Sequence, residues 1–253
     1  MTFSILSLNL WNISEPLEPR YAVLAAGLKK LRPDIVCLQE VYRDPKSGRS
    51  QAELIADMCG LTHFVEESGL AIFCSQPVAL LNSAALPQFA GDPPRYVLLA
   101  EFLIEGRALL VINTHLAYRP EMVEGRRKQV EALLAALKRQ YPESGIAKIL
   151  CGDFNDVADS PAIRAVLNSD EKFIDVFAEC HPNDPGFTYS PRNQYVERSW
   201  TLDERIDYIF MSRDLMPKDC AIVFDGNNGL DFASDHFGLF CRLEFLPSTL
   251  RVG

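Results

Sequence analysis

Several things are missing from this 253-residue sequence, and each absence closes a class of function. No apolar run approaches the ~20 residues that a membrane-spanning helix needs. The opening "MTFSILSLNL" has neither a basic n-region nor a small-residue cleavage site, so no secretory leader is expected and the protein is read as cytoplasmic. The seven cysteines are odd in number and contain no CxxC pair. Cys37, Cys74, Cys151 and Cys241 lie inside apolar runs, where a thiol behaves as a small hydrophobe, so a reducing compartment is expected. HExxH and CxxC zinc spacings are lacking, as are the GxSxG elbow, the GxxxxGK[ST] loop and the GxGxxG fingerprint. Zinc hydrolase, serine hydrolase, nucleotide kinase and dinucleotide dehydrogenase are therefore weak readings. Repeats, low-complexity tracts and Gly/Ser linkers are missing too, and residues 1–253 read as one domain and a monomer.

Positive charge is also short. The net charge of −9 opposes tight non-specific binding to a long nucleic-acid duplex. Basic residues gather in loop-like segments (Arg43, Lys46, Arg49; Arg119, Arg126, Arg127; Arg192, Arg198), where a small or exposed phosphate could still be attracted.

What remains is an ordinary globular composition, 48% hydrophobic and 23% charged. "FSILSLN", "DIVCLQEV", "GLAIFCS", "VALLNSA", "RYVLLAEFLI", "ALLVINTH", "AKILCGDFN" and "RIDYIFM" read as strands, and "ASDHFGLFCRLEF" leads into a last one. Gly106 is placed in a hairpin turn. Tyr21, Leu24, Ala25, Leu28 and Leu31 recur at helical spacing before Pro33, and a short helix is expected near "QAELIADM". The clearest helix spans 121 to about 141, with Glu121 and Glu124 in its first turn and Lys138 and Arg139 in its last. Arg126 shares the side of Val130, Leu133 and Leu137, so it faces inward and needs an acceptor, either a structural carboxylate or a bound anion. Ser160 with Pro161 reads as an N-cap and first helical residue. The long loop before "RIDYIFM" carries Tyr189, Tyr195 and Trp200, which could contact substrate or pack as a small core of their own.

Six polar features stand at the ends of apolar runs: Asn9, Glu40, His115, Asp153 with Asn155, Asp207, and Asp235 with His236. Each alone is ordinary turn or surface chemistry. Strand ends that converge on one sheet edge would place them around a single cleft. Carboxylates crowded there repel one another unless a cation intervenes, and hard oxygen donors suit Mg2+ or Mn2+ better than zinc. A glycosidase needs only paired carboxylates and would leave Asn9 and Asn155 unexplained.

"SLNLWN", "LQEV", "NTHL", "GDFND", "RIDYIF" and "SDHFG", in that order, resemble the motif series of the endonuclease/exonuclease/phosphatase superfamily, the deoxyribonuclease I-like metal-dependent phosphoesterases. The resemblance runs from residue 4 to residue 238. It implies an α/β fold, a four-layer sandwich of two packed mixed β-sheets flanked by helices. It also implies a divalent-metal-dependent phosphoesterase, foremost a phosphodiesterase, acting on a nucleic-acid end, a small phosphodiester or a phospholipid headgroup. By the same resemblance Glu40, Asn9 and Asp235 hold Mg2+ or Mn2+; Asp153 and Asn155 orient the attacking water and the phosphate. His236 stands beside the phosphate with Asp207 behind it, and His115 is a second histidine of the site. Arg126 and Gln129 match an Arg-x-x-Gln pattern and are given a supporting role first, phosphate contact second. The alternative is a catalytically silent phosphate-binding or protein-interaction module on the same fold.

Overall fold

The structure is a computed structural model that describes residues 2–142, 145–227 and 229–247. In chain order it runs β1 (Thr2–Asn9), α1 (Leu17–Leu31), β2 (Ile35–Gln39), α2 (Gln51–Cys59), β3 (His63–Glu67), β4 (Leu70–Cys74), β5 (Val78–Ala85), β6 (Tyr96–Ile104) and β7 (Arg107–His115). A 3-10 turn at Pro120–Met122 leads into α3 (Val123–Gln140). Then come β8 (Ala147–Asp153), α4 (Pro161–Leu167), β9 (Ile174–Asp175), α5 (Val176–Cys180), β10 (Asp207–Met211), β11 (Leu215–Val223) and β12 (Gly238–Phe245).

The strands form two six-stranded sheets, ordered β11-β12-β1-β2-β4-β3 and β5-β6-β7-β8-β10-β9. Each is mixed, with one parallel pair near its middle: β1 with β2, and β7 with β8. A parallel pair needs a crossover, and α1 and α3 supply the two crossovers. Helix α1 covers the first sheet by packing Leu24 and Leu28 on Leu6, Leu8 and Val36. Helix α3 covers the second with Val130, Leu133 and Leu137 on Leu110, Ile112 and Leu150. Between the sheets, Ile5, Cys37 and Ile72 meet Leu98, Val111, Ile149 and Ile209. The layers are therefore helix, sheet, sheet, helix, as the resemblance implied.

Cys220 and Cys241 lie opposite one another on β11 and β12, with Cα atoms 4.1 Å apart, and are paired as a disulfide. The reading of Cys241 as a lone small hydrophobe is corrected by that pairing. Cys37, Cys59, Cys74, Cys151 and Cys180 are free. Among the described residues no helix is long and apolar enough to cross a membrane.

The period-2 alternation of strands decides where the polar residues go. Asn9 shares the face of Ile5, His115 that of Val111, Asp153 that of Ile149 and Cys151, and Asp207 that of Ile209. All four continue the inner faces of the sandwich. The inter-sheet core is apolar along most of its length and turns polar at one end. Gln39 and Asn113 mark the transition: Gln39 Nε2 donates to Asn113 Oδ1 at 2.7 Å, and Asn113 Nδ2 donates to the carbonyls of Leu38 and Ala71 at 2.9 and 3.0 Å.

Candidate active site

Asn9, His115 and Asp153 are the last residues of β1, β7 and β8; Asp207 opens β10, and Glu40 follows β2 directly. The register sets His115 and Asp207 on either side of Asp153. Gly152 makes that closeness possible. Its φ is +137°, and a Cβ there would lie 1.9 Å from the carbonyl oxygen of Thr114, so another residue would push β8 off β7. Glu40 and Asn155 have positive φ, 54° and 49°, as do Trp11 and Asn12 beside Asn9, at 56° and 42°. Strained backbone at four such positions is a common mark of a working site.

The geometry centres on one carboxylate oxygen. Asp153 Oδ2 accepts from Asn9 Nδ2 at 2.9 Å and lies 3.4 Å from His115 Nε2 and 3.8 Å from His236 Nε2. Asp153 Oδ1 accepts from the backbone N–H of Asn155 at 2.8 Å, which ties the strand end to the turn that follows. His236 Nδ1 bonds Asp207 Oδ2 at 2.9 Å, and this fixes the imidazole and aims its other nitrogen at Asp153. Asp207 Oδ1 is buried with no hydrogen-bond partner. Asn9 Nδ2 also reaches Glu40 Oε1 at 3.4 Å, and Asn12 Nδ2 donates to Glu40 Oε2 at 2.9 Å. Asn9 Oδ1 is taken by the N–H of Trp11 at 2.9 Å. That contact settles the amide's orientation, because a backbone N–H can only donate. Asn9 therefore turns its NH2 toward Asp153 and Glu40 and orders both carboxylates. Asp235, buried next to His236, accepts from Ser234 Oγ at 3.2 Å.

Charge is unevenly distributed here. Burial and the neighbouring Asp207 raise the pKa of Asp153 to about 7. Burial, then Glu40, raises Asp235 to about 6, with His236 pulling the other way. For His236 burial opposes the charged form, but Asp207, Asp153 and Asp235 together overcome it and hold the imidazole protonated well above the usual histidine range. His115 goes the opposite way although Asp153 is close. Burial, Arg95 and His236 push it well below that range, so the 3.4 Å contact is one of a neutral ring and not an ion pair. Glu40, Asp153, Asp207 and Asp235 thus face one charged imidazole, an excess of negative charge.

That excess is the test of a divalent cation. The donors are hard oxygens, as Mg2+ and Mn2+ prefer, so the residues fit such an ion. Two places could be argued for it. Asp153, Asp207 and His236 have ligand atoms within 4.8 Å of one another, but there the imidazole supplies the positive charge and spends one nitrogen on Asp207. Glu40 and Asp235 act on one another as like charges, and neither shares a hydrogen bond with His236. Burial and Glu40 together outweigh His236 and Arg20 at Asp235, so Glu40 and Asp235 are the better pair.

The remaining expected residues divide. Asn155 Nδ2 donates to the Leu116 carbonyl at 3.2 Å, which ties its amide to the chain beyond His115. Arg126 is satisfied by protein: Nε donates to Asp156 at 3.0 Å, and Nη1 to the carbonyls of Ala117 and Arg119 at 3.1 and 2.7 Å. Gln129 accepts from Ala117 N and donates to the Pro87 carbonyl, both at 2.9 Å. These two brace the chain after His115. Tyr189 packs on His236 with ring centres 4.9 Å apart and edge-on against Trp200 at 5.6 Å, while Tyr195 packs on Trp11 at 5.5 Å. The loop aromatics therefore pack as two separate pairs, Tyr189 with Trp200 and Tyr195 with Trp11, and Tyr189 is the one that packs on a site histidine.

Three supporting residues escaped the sequence reading. Arg20, 1% exposed, donates to the carbonyls of Leu10, Ser14 and Asn12 at 2.7, 3.0 and 3.2 Å and shapes the turn after Asn9. Asn193 Nδ2 donates to the carbonyls of Ser234 and Asp235 at 2.8 and 2.9 Å. Thr188 Oγ1 accepts from the N–H groups of Ile206 and Asp207, both at 3.1 Å.

A sequence model of the endonuclease/exonuclease/phosphatase family matches residues 6–236, a span that includes all of these side chains. The chain belongs to that family. Endonuclease/exonuclease/phosphatase proteins are divalent-metal-dependent hydrolases of phosphate esters. The chain is 24% identical to the uncharacterized protein F14F9.5 of Caenorhabditis elegans over 96% of its own length and 91% of that protein's. It is 30% identical to human protein angel homolog 1, over 61% of its own length and only 26% of the human protein's. The fold superposes on the crystal structure of Danio rerio TDP2 complexed with a single-strand DNA product, with a TM-score of 0.76, 22% identity, and 96% and 99% of the two chains covered.

Proposed function

We propose that this chain is a phosphoesterase, foremost a phosphodiesterase, that uses water as the direct nucleophile and Mg2+ or Mn2+ as cofactor. The observation that carries the reading is the convergence of Asn9, His115 and His236 on Asp153 Oδ2, with Glu40 held by the same Asn9 amide. Glu40 and Asp235 would hold the cation. Bound there, it would polarise a phosphoryl oxygen and offset charge on the leaving oxygen.

The protein's own groups do the rest. Asp153 takes a proton from the attacking water, and a pKa near 7 matches its proton affinity to a neutral medium. Asn9 Nδ2 holds the carboxylate in place while it does so. His236, kept charged and aimed by Asp207, donates to the phosphoryl oxygens as negative charge grows on them. His115 and the Asn155 amide line the same site, and the displacement proceeds in line without a covalent enzyme intermediate. The acidic chain opposes a long duplex and leaves small diesters and single-stranded ends as substrates. Protein of the same fold holds a single-strand DNA product in Danio rerio TDP2.

The test is a hydrolysis panel with Mg2+ and with Mn2+. It covers bis-p-nitrophenyl phosphate, p-nitrophenyl phosphate, single- and double-stranded DNA, RNA and sphingomyelin, with Asp153→Asn as control. Metal-stimulated cleavage of a diester by the wild type but not by the variant is the expected result. Silence across the panel would leave the phosphate-binding module instead.

A further inference from the structure

Two large aromatic side chains flank the cleft with half their surface in water. Tyr42 stands two residues past Glu40 and is 52% exposed; Tyr118 stands three past His115 and is 51% exposed. The backbone under Tyr42 is fixed. Its N–H donates to Gln51 Oε1 at 2.7 Å, and its carbonyl accepts from Gln51 N at 2.8 Å; Gln51 itself is fully buried. A rigid backbone thus holds an open ring beside the site.

A pocket lies against that ring, lined by Glu40, Tyr42, Pro94, Arg95, Tyr96 and His115. Past Tyr42, Ser68 and Gly69 it adjoins a larger cavity of about 330 Å3 that reaches Arg43. The Arg95 side chain is 8% exposed, with Nε and Nη2 on the two oxygens of Asp92 at 2.9 and 3.1 Å. Among the described residues its Nη1 has no hydrogen-bond partner, and the guanidinium carbon lies 5.8 Å from the Tyr118 ring centre. An arginine held by two nitrogens and offering the third to a cleft is ready for an anionic oxygen.

We propose that this wall is a nucleoside subsite, in which Tyr42 stacks on the base beside the scissile phosphate and Arg95 Nη1 donates to a phosphate oxygen. The substrate is then a single-stranded nucleotide end. Stacking on a side chain needs an unpaired base, which a duplex does not offer. A choline-type headgroup would bring its positive charge beside Arg95 and the charged His236, which disfavours it. This subsite rests on the phosphoesterase reading of the same cleft.

The test compares wild type, Tyr42→Ala and Tyr42→Phe in two readouts. The first is the ratio of kcat/KM for the dinucleotide ApA to that for methyl p-nitrophenyl phosphate, which has no base. The expected result is a fall of about tenfold in Tyr42→Ala, carried by KM and restored in Tyr42→Phe. The second is fluorescence anisotropy of a labelled single-stranded pentanucleotide, where the same order of variants is expected whether or not turnover occurs. Tyr42 is exposed, so the substitution does not threaten folding. An unchanged ratio and unchanged anisotropy in Tyr42→Ala would overturn the subsite, as would faster wild-type hydrolysis of sphingomyelin vesicles than of ApA. Tyr42-dependent binding without hydrolysis of any substrate would sink the catalytic reading and leave the subsite standing.

Discussion

Asp153 and Asp156 are three residues apart in "GDFND" and live in opposite circumstances. Asp156 faces Arg126 at 3.0 Å, and the rest of that guanidinium is taken up by the carbonyls of Ala117, Arg119 and Pro120. Asp153 shares its surroundings with Asp207, and one protonated histidine serves both, while an oxygen of Asp207 is buried with nothing bonded to it. The first cluster is closed and the second is short of positive charge. A closed cluster holds the fold together; an open one has electrostatic capacity left for a cation and a reacting phosphate.

If that contrast is right, the two acids' surroundings respond to mutation in opposite ways. The largest effect belongs to Asp153→Asn, which should lower metal-stimulated kcat by about 10^3-fold. Its stability should not suffer in step. A carboxylate whose folded pKa is raised to about 7, above an ordinary value near 4, costs stability that grows as pH climbs from about 4 to about 7 and is complete above that. The metal-free variant should therefore melt no lower than wild type at pH 8, and a clear drop in Tm would count against the open-cluster picture. Arg126→Met should do the reverse. Leaving Asp156 buried and alone should cost about 3–5 kcal/mol in denaturant unfolding. The kcat of the folded fraction should change less than it does in Asp153→Asn. Equal damage to chemistry would mean that Arg126 touches the phosphate after all.

A smaller effect sharpens the same contrast. Asp235, at about 6, and Asp153, at about 7, carry protons in the metal-free site that a divalent ion would expel. Mg2+ affinity measured by calorimetry should then strengthen by about tenfold per pH unit for each proton released between pH 5 and 7, and flatten above. Affinity independent of pH would place the ion away from these carboxylates.

Much of this was legible in the sequence because strands that are buried on both faces announce themselves. "ILSLN", "IVCLQ" and "ILCGD" are such strands, and their polar ends supplied the site residues. The strands that went unread have other characters. β3, "HFVEE", is largely exposed and half polar. β11 is an edge strand with Pro217 inside it and a register shift between Pro217 and Asp219. β9 has two residues. At the site, Arg20 and Asn193 act on backbone carbonyls and Thr188 on backbone N–H groups, so no side-chain motif betrays them. The direction of the Asn9 amide depends on the Trp11 N–H, a contact that exists only once the turn has folded.

The central claim is that Glu40 anchors a divalent ion for hydrolysis by the Asp153 cluster. Its most direct test is the Mg2+ dependence of bis-p-nitrophenyl phosphate hydrolysis in wild type and Glu40→Gln. Replacing an outer support of a metal commonly weakens binding about 10- to 100-fold, so loss of the ligand's own charge should raise the half-saturating Mg2+ by about 100-fold or more. A Glu40→Gln enzyme with wild-type metal dependence and full turnover would contradict the account.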